Sequence, residues 1–353
     1  MQTTAKVGTA GFHPKQANQA RKIMPLVCFT QRNKEGAARA AGDIRAVKQA
    51  SGMISVTHTA CRSLELQTMA QHLLMQSGAL RASLRPDLGG CIEGLWFNGI
   101  PVLRSSAPGT LKQVGMSASY PLVPYSNRVA RAKLVWQGTA HPLVKNFQDE
   151  EHSIHGVGWR QPWEVLQAND NFAMLCMEHE ADADWPFAFD ASQTFRLKNN
   201  TLELTMSVTN QSGGDAPVGL GWHPYFSKRA DTRIFFSAQG LWEMGGDKLP
   251  TTLSASTGLD RACADLQIDN CFDGWAKLVD LHDTTLHVRM ESDLKRLVVY
   301  TTPQKDFIAV EPVSHVNNAM NQSNATDLGV RVLRAGETWQ AAMTIQINPE
   351  KAL

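Results

Sequence analysis

Apolar and polar residues alternate along several short segments of the chain from about residue 73 onward. Leu202, Leu204, Met206 and Val208 alternate with polar residues, and clusters of Asn, Ser, Gly and Asp bracket that run. A two-residue period places every second side chain on one face of an extended strand, and turn-forming residues limit its length. This reasoning predicts strands over residues 202–208, 233–238, 286–290, 297–302, 306–313 and 339–347.

Helical periodicity is weak throughout the chain. No window of a dozen residues shows a convincing 3.6-residue period, and no G-x-G-x-x-G motif follows a predicted strand. Because the strands follow one another without intervening helices, a doubly wound α/β fold is disfavoured. The sequence therefore predicts an all-β protein built as one large, mostly antiparallel β-sandwich.

Composition and charge narrow the class of protein. The 353 residues are 43% hydrophobic and 19% charged, which is too apolar for wholesale disorder, and the net charge is +1. A balanced charge gives no field that attracts nucleic acid or an anionic membrane. No stretch approaches 18 consecutive apolar residues, so no transmembrane helix is predicted. We expect neither nucleic acid nor membrane as a partner.

The charge is unevenly distributed along the chain. Residues 1–70 carry ten basic residues against three acidic ones, lack Trp and Tyr, and show no sustained strand or helix pattern. Such a segment is expected to remain disordered and outside the folded core. We therefore predict a basic N-terminal extension over residues 1–70 and one catalytic β-sandwich domain over residues 71–353.

The six cysteines lie at positions 28, 61, 91, 176, 263 and 271, and no two of them form a CxxC pair. This spacing indicates neither a structural zinc site nor a dense disulfide framework. Free thiols in a reducing cytosol are the expectation, and we predict a cytoplasmic protein on this basis.

Four segments combine polar, titratable and aromatic residues within an otherwise ordered apolar context. They cover residues 120–129, 152–163, 219–226 and 307–321. Glu311 ends an apolar strand run, where a carboxylate is rare unless it is paired or functional, although an exposed strand end would also explain it. His223 lies between Trp222 and Pro224, where a hydrogen-bonded core histidine is the alternative. Arg128 could equally form an ordinary surface salt bridge.

Taken together, these residues offer a carboxylate base, imidazoles and a guanidinium beside several Trp side chains. Aromatic faces next to dense hydrogen-bonding groups suit a sugar, and an acid with a base suits proton transfer without a cofactor. The pair His152 and His155 lacks a third ligand at zinc spacing, so no metal is predicted. No G-x-S-x-G elbow is present, and a glycosidase would need a second acid such as Asp269 or Asp273.

The chain resembles the aldose 1-epimerase (galactose mutarotase) family. The resemblance rests on five short motifs that occur in the family's order between about residues 73 and 348: Asn127-Arg128-Val129, His155-Gly156, His223-Pro224-Tyr225-Phe226, Ile268-Asp269-Asn270-Cys271-Phe272 and Val310-Glu311-Pro312.

The resemblance implies the galactose mutarotase-like supersandwich and the cofactor-free interconversion of the α and β anomers of a free aldose. It implies that Glu311 is the general base for the anomeric hydroxyl and that His223 is the general acid for the ring oxygen. The residues that it implies for sugar binding are His155, Arg128, Asp269 and Asn127. The expected partner is a small-molecule sugar, and no oligomeric state is predicted.

The segments Trp222-His223-Pro224-Tyr225 and Glu311-Pro312-Val313-Ser314-His315 differ from the best-known galactose mutarotases and resemble a bacterial branch of the family. The particular aldose is therefore left open. A hexose 6-phosphate 1-epimerase is one alternative, with Arg131 and Lys133 as candidate phosphate ligands. A carbohydrate-binding sandwich without catalysis is the other, and the presence of both Glu311 and His223 counts against it.

Overall fold

Antiparallel strands dominate the computed structural model, which describes residues 72–349. The predictions about residues 1–70 lie outside these described residues. In chain order the strands are β1 (Leu73–Ser77), β2 (Leu80–Arg85), β3 (Cys91–Phe97), β4 (Ile100–Pro101), β5 (Pro121–Leu122), β6 (Arg128–Val129), β7 (Lys133–Trp136), β8 (Thr139–Pro142), β9 (Ser153–Ile154), β10 (Glu164–Asn169), β11 (Phe172–His179), β12 (Phe189–Lys198), β13 (Thr201–Asn210), β14 (Ala216–Val218), β15 (Gly221–Trp222), β16 (Tyr225–Ser227), β17 (Arg233–Phe236), β18 (Gly240–Met244), β19 (Pro250–Ala255), β20 (Leu259–Ala262), β21 (Ile268–Asp273), β22 (Leu278–His282), β23 (Leu286–Ser292), β24 (Arg296–Thr301), β25 (Phe307–Val313), β26 (Arg331–Leu333) and β27 (Thr338–Pro349).

Helical structure is limited to short turns in this part of the chain. Three 3₁₀ turns lie at Val114–Met116, Ala130–Ala132 and Ala319–Asn321. Within residues 72–349, no helix is long and apolar enough to cross a membrane.

Two large sheets carry the architecture. One has nine strands in the order β10-β11-β12-β13-β27-β23-β22-β17-β20, and the other has eight, in the order β19-β18-β21-β24-β25-β15-β5 with β16 also paired to β25. A four-stranded sheet, β1-β2-β3-β4, and three two-stranded sheets complete the described fold. The predicted all-β, antiparallel sandwich is confirmed, and each predicted strand is present within two residues of its expected ends.

The main hydrophobic core lies between the two large sheets. On β13, Leu204 and Met206 are buried while Thr205 between them is partly exposed, and Leu204 pairs across the sheet with Met343 of β27. The same hydrophobic cluster contains Ile308 and Val310 of β25 in the eight-stranded sheet. The alternation read from the sequence therefore places one face of each sheet in a shared core.

The eight-stranded sheet is buried on both of its faces at its centre. All seven residues of β25 are buried. Ile308 and Val310 join the main core, whereas Phe307 and Ala309 belong to a second, smaller apolar cluster together with Tyr225. Because successive side chains of a strand point to opposite faces, this second cluster lies on the outer face of the sheet. We refer to that side, the side of Phe307, Ala309 and Glu311, as the outer face.

Candidate active site

Strand register places Glu311 and His223 opposite each other on the outer face. Gly221 of β15 and Tyr225 of β16 pair with residues of β25 that lie two positions to either side of Glu311. Counting inward from both pairs puts His223, between the two short strands, directly across from Glu311. The imidazole Nε2 and the carboxylate Oε1 are 3.1 Å apart.

Two prolines explain why the ladder is interrupted at this point. Pro224 follows His223 and Pro312 follows Glu311, and a proline has no backbone N–H to donate to a neighbouring strand. The His223 N–H instead donates to the Tyr120 carbonyl at 3.0 Å. The sequence therefore interrupts the sheet locally where His223 and Glu311 face each other.

Burial dominates the electrostatics of this pair. Glu311 is 2% exposed and His223 is 7% exposed. Loss of water raises the pKa of the Glu311 carboxyl well above its usual range, and the charge of Asp269 adds to the rise while Arg128 opposes it. Burial also lowers the pKa of His223 well below its usual range. Both shifts favour the neutral form of each group.

Each residue of the pair also has one buried polar atom without a hydrogen bond. Oε2 of Glu311 and Nδ1 of His223 are buried and have no hydrogen-bond partner in residues 72–349. Buried polar atoms are rarely left unpaired in a purely structural setting, and perturbed titratable groups concentrate at functional sites. This pair is therefore the centre of the candidate active site.

His155 lies beside the pair in a backbone conformation that few histidines adopt. Its φ is 63°, and the φ of the following Gly156 is 73°. A Cβ at Gly156 would lie 2.4 Å from the Val123 carbonyl oxygen, so only glycine fits there. This turn directs Nδ1 of His155 to the backbone N–H of Asn127, which donates at 3.0 Å. The ring of His155 meets that of His223 edge-on, with centroids 5.2 Å apart.

Arg128 is oriented by a carboxylate that the sequence analysis did not identify. Its Nη2 donates to Oε1 of Glu150 at 2.8 Å, and its Nη1 donates to the side-chain oxygen of Asn127 at 3.1 Å. Lys248 donates to the same Glu150 oxygen at 3.1 Å. Burial opposes the ionisation of Glu150, but these two cations outweigh it and lower its pKa to about 2. Glu150 therefore remains charged and fixes the guanidinium.

Asp269 reaches the same face through the sheet register. Cys271 of β21 pairs with Val298 of β24, which pairs with Glu311. Asp269 lies two residues before Cys271 and therefore shares the face of Glu311. Its side chain contacts solvent, yet the protein around it displaces enough water to raise the pKa of its carboxyl.

Aromatic rings enclose the imidazole of His223. Tyr225 stacks on it with centroids 4.4 Å apart, and Tyr120 lies at 4.7 Å with an interplanar angle of 30°. Trp159 contacts Tyr120 at 5.5 Å. Burial raises the pKa of Tyr225 to about 12, so the phenol stays neutral. The rings beside His223 are thus mainly tyrosines, and the expectation of several tryptophans is wrong for Trp163, Trp222 and Trp275, which lie in the main core between the sheets.

His152 does not share the environment of His155. Its Nδ1 accepts the Arg131 backbone N–H at 2.9 Å, and its Nε2 lies 2.9 Å from the Asp247 carbonyl oxygen. Both ring nitrogens therefore tie loops together. No group of three or more His, Cys, Asp and Glu residues suited to a metal occurs in the described range. The side chains of Arg131 and Lys133, the candidate phosphate ligands, are exposed.

The structure thus gathers all six residues that the sequence analysis selected: Asn127, Arg128, His155, His223, Asp269 and Glu311. It adds Glu150 and the ring of Tyr120. Glu150 is one of three consecutive acidic residues in a loop, and nothing in the sequence distinguishes it from its neighbours. Tyr120 opens one of the four segments, but only its contact with His223 reveals its place.

Comparisons with known proteins identify the family of this chain. The sequence profile of the Aldose 1-epimerase family matches residues 71–346, and the chain belongs to that family. Two similar proteins come from Escherichia coli (strain K12). One is the uncharacterized protein YphB, with 30% identity over 303 residues, 78% of this chain and 98% of YphB. The other is the uncharacterized protein YihR, with 28% identity over 57% of this chain and 70% of YihR.

Solved structures with the same fold include a candidate aldose 1-epimerase from Escherichia coli K12. It has a TM-score of 0.72 and 27% identity, covering 79% of this chain and 99% of its own. A galactose mutarotase-like protein from Clostridium acetobutylicum has a TM-score of 0.71 and 20% identity, covering 79% and 95%. At that identity, the second similarity establishes the fold alone.

Proposed function

We propose that this protein is an aldose 1-epimerase, an isomerase that interconverts the α and β anomers of a free aldose. The observation that carries the proposal is the buried pair His223 and Glu311, with reactive atoms 3.1 Å apart. Membership of the aldose 1-epimerase family supports it.

The separation of acid and base suits a hemiacetal better than a glycosidic bond. In mutarotation the base acts on the C1 hydroxyl and the acid acts on the ring oxygen, and both oxygens are bonded to the same carbon. Glycosidases instead need two carboxyl groups about 5–5.5 Å or about 6.5–9.5 Å apart. An imidazole and a carboxylate within hydrogen-bonding range fit two oxygens that share one carbon.

The proton count of the pair also fits the reaction. In the proposed cycle the pair shares one proton, and its position on Nε2 of His223 gives a carboxylate on Glu311 and an imidazolium on His223. Glu311 then accepts the proton of the C1 hydroxyl while His223 protonates the ring oxygen, and the C1–O bond of the ring breaks. Rotation about C1–C2 presents the other face of the aldehyde. Closure reverses both transfers and leaves the proton count unchanged.

The remaining residues hold the sugar in this scheme. Arg128, His155 and Asp269 supply a fixed cation, a neutral imidazole and a carboxylate to the sugar hydroxyls, and Asn127 orients two of them. Burial lowers the pKa of His155 to about 3, with the charge of Arg128 adding to the effect, so His155 binds as a neutral donor or acceptor. The proposed chemistry uses the chain's own acid and base and no cofactor.

The direct test is polarimetry of freshly dissolved α-anomers across a panel of aldoses, with and without the protein. We expect faster mutarotation of at least one free aldose, and Glu311→Gln should abolish most of the acceleration. A hexose 6-phosphate in the same panel tests the alternative substrate class. Sugar binding without acceleration of any anomerisation would refute the enzyme and support a carbohydrate-binding sandwich.

A further inference from the structure

A guanidinium lies behind the ring that stacks on His223. The Cζ of Arg104 is 3.8 Å from the ring centroid of Tyr225 and 4.9 Å from that of Phe307. Tyr225 in turn stacks on His223 with centroids 4.4 Å apart and an interplanar angle of 29°. Guanidinium, phenol and imidazole therefore form a continuous stack that ends at the proposed general acid.

Backbone groups hold Arg104 firmly in this position. Its own N–H donates to the carbonyl of Tyr225 at 2.7 Å. Its Nε and Nη2 donate to the Ser117 carbonyl at 3.1 and 2.6 Å, and Nη2 also donates to the Gly115 carbonyl at 2.8 Å. Main chain on both sides therefore leaves the side chain little freedom to move away from Tyr225.

The positive charge of Arg104 has no close counter-charge. No carboxylate in residues 72–349 forms an ion pair with it, and Asp306, which acts on it electrostatically, is exposed to solvent. Arg104 is partly buried, and burial lowers its pKa, yet an arginine remains protonated at any accessible pH. The field of this charge therefore extends through Tyr225 toward His223.

We propose that Arg104 is a positioning residue for the acid–base pair: it fixes Tyr225 against His223 and places a permanent positive charge behind the imidazole. This role rests on the proposed function. A positive charge disfavours the imidazolium, so His223 gives up its proton more readily to a sugar ring oxygen.

Other titratable and charged groups surround His223, and they limit what Arg104 contributes. Burial has the largest effect on the pKa of His223 and lowers it. Electrostatic interactions with His155 and with Arg104 lower it further. The titratable and charged groups around the stack include Glu311, His155, Tyr120, Tyr225, Arg104, Lys305 and Asp306, and Asp269 and Arg128 act on Glu311. Of these, Arg104 is the one permanent cation anchored by main-chain carbonyls.

The experiment compares pH profiles of kcat for the wild type, Arg104→Met and Arg104→Lys with the aldose that the protein epimerises. Arg104→Met keeps the length and removes the charge, so both limbs of the profile should move to higher pH by about one unit. Its kcat should fall by up to about tenfold, because His223 becomes a weaker acid. Arg104→Lys keeps the charge, and its limbs should stay near the wild-type positions.

A purely structural role predicts something different. Loss of the hydrogen bonds to Ser117 and Gly115 would lower activity equally at every pH. Unshifted limbs in Arg104→Met, or equal shifts in the Met and Lys variants, would therefore overturn the proposal. Arg104→Gln, which keeps an N–H donor for the Ser117 carbonyl, serves as a second neutral variant if Arg104→Met does not fold. Arg81, which lies over Trp96 at 4.9 Å on β2, provides the control, and Arg81→Met should leave the profile unchanged.

A second measurement separates this proposal from the proposed function. The ring of His223 can be titrated by NMR in the wild type and in a neutral Arg104 variant without any sugar. If the wild type epimerised no aldose, the proposed function would be refuted, and this titration would still decide the role of Arg104. A higher midpoint in the variant supports the role, and an unchanged midpoint overturns it.

Discussion

The inner and outer faces of β25 differ at one position, because the outer face carries Glu311 beside the apolar Phe307 and Ala309. Ile308 and Val310 point inward and are fully buried in the apolar core between the sheets. Glu311 points outward and is almost as buried, but its carboxyl group faces the imidazole of His223. One polar atom of each side chain, Oε2 of Glu311 and Nδ1 of His223, has no hydrogen-bond partner in residues 72–349. The same strand therefore supplies rigidity through one face and reactivity through the other.

The difference shows why burial alone does not identify a function. Residues on both faces exclude water, but an apolar side chain gains stability from that exclusion, whereas a carboxyl group loses the solvation of its charge. The resulting rise in the pKa of Glu311 makes its carboxylate a stronger base than an exposed one. Burial of the Glu311 carboxyl on the outer face thus destabilises the fold, and burial of apolar side chains on the inner face offsets this loss.

The largest expected effect is the loss of turnover when Glu311 or His223 on the outer face is substituted. Glu311→Gln keeps the shape of the side chain but cannot accept a proton, so turnover should drop by about 10²- to 10⁴-fold. His223→Asn should lower turnover to a similar degree. Because the two residues act as one unit, the double variant should lose little more than the worse single variant. Polarimetry measures all three.

Stability provides the control for these variants. Removing a buried carboxyl should change the free energy of unfolding little, and urea titration can verify that each variant is folded. Near-normal turnover in a folded Glu311→Gln protein would disprove the base assignment, and Asp269 would be the next candidate.

The inner face should show the reverse pattern. Ile308→Ala removes buried methyl groups from the core, and we expect a loss of about 2–5 kcal/mol in the free energy of unfolding. Turnover per folded molecule should remain close to that of the wild type at a temperature where the variant is folded. Urea titration and polarimetry on the same samples test both statements. A large loss of turnover with little loss of stability would mean that the two faces are not separate.

The sequence predicts the strand and its unusual residue because both signals are local. An apolar run followed by Glu311-Pro312 indicates a buried strand with a carboxylate, and β25 lies within one residue of the predicted segment. No local sequence signal of this kind identifies Glu150 or Arg104. Glu150 binds Arg128 across 22 residues, and Arg104 contacts Tyr225 across more than a hundred, so only the fold brings them together.

Acidification should weaken the fold through the outer-face histidines. The folded protein keeps His155 neutral down to a pKa of about 3, whereas the unfolded chain binds a proton near the ordinary value of 6.5. Stability is therefore complete above pH 6.5 and is lost as the pH falls toward 3. Between pH 7 and pH 5, His155 alone should cost about 2 kcal/mol.

The variant His155→Gln, which does not titrate, isolates this contribution. Its stability should depend less on pH than that of the wild type, by about 2 kcal/mol over the same interval. His315, whose burial lowers its pKa to about 4, adds an acid-induced loss of the same sign to both proteins and cancels in the comparison. Urea titrations at pH 7 and pH 5 give the two slopes, and equal slopes would show that His155 is not held neutral.

The smallest expected effect concerns the support of Arg128 at the edge of the outer face. Glu150→Gln keeps the size of the side chain but removes the charge that binds the guanidinium at 2.8 Å. Hydrogen bonds to charged groups contribute about 1.5–3 kcal/mol, so a less firmly held Arg128 should raise KM about tenfold and leave kcat nearly unchanged. Lys248→Met is the matched control, because the Lys248 side chain is 56% exposed and contacts the same Glu150 oxygen.

Exposed ion pairs contribute about 0–1 kcal/mol, so the Lys248→Met variant should change KM by less than about fivefold. A fall in kcat with unchanged KM in Glu150→Gln would instead show that Arg128 stabilises the transition state and does not contribute to binding of the sugar in the ground state.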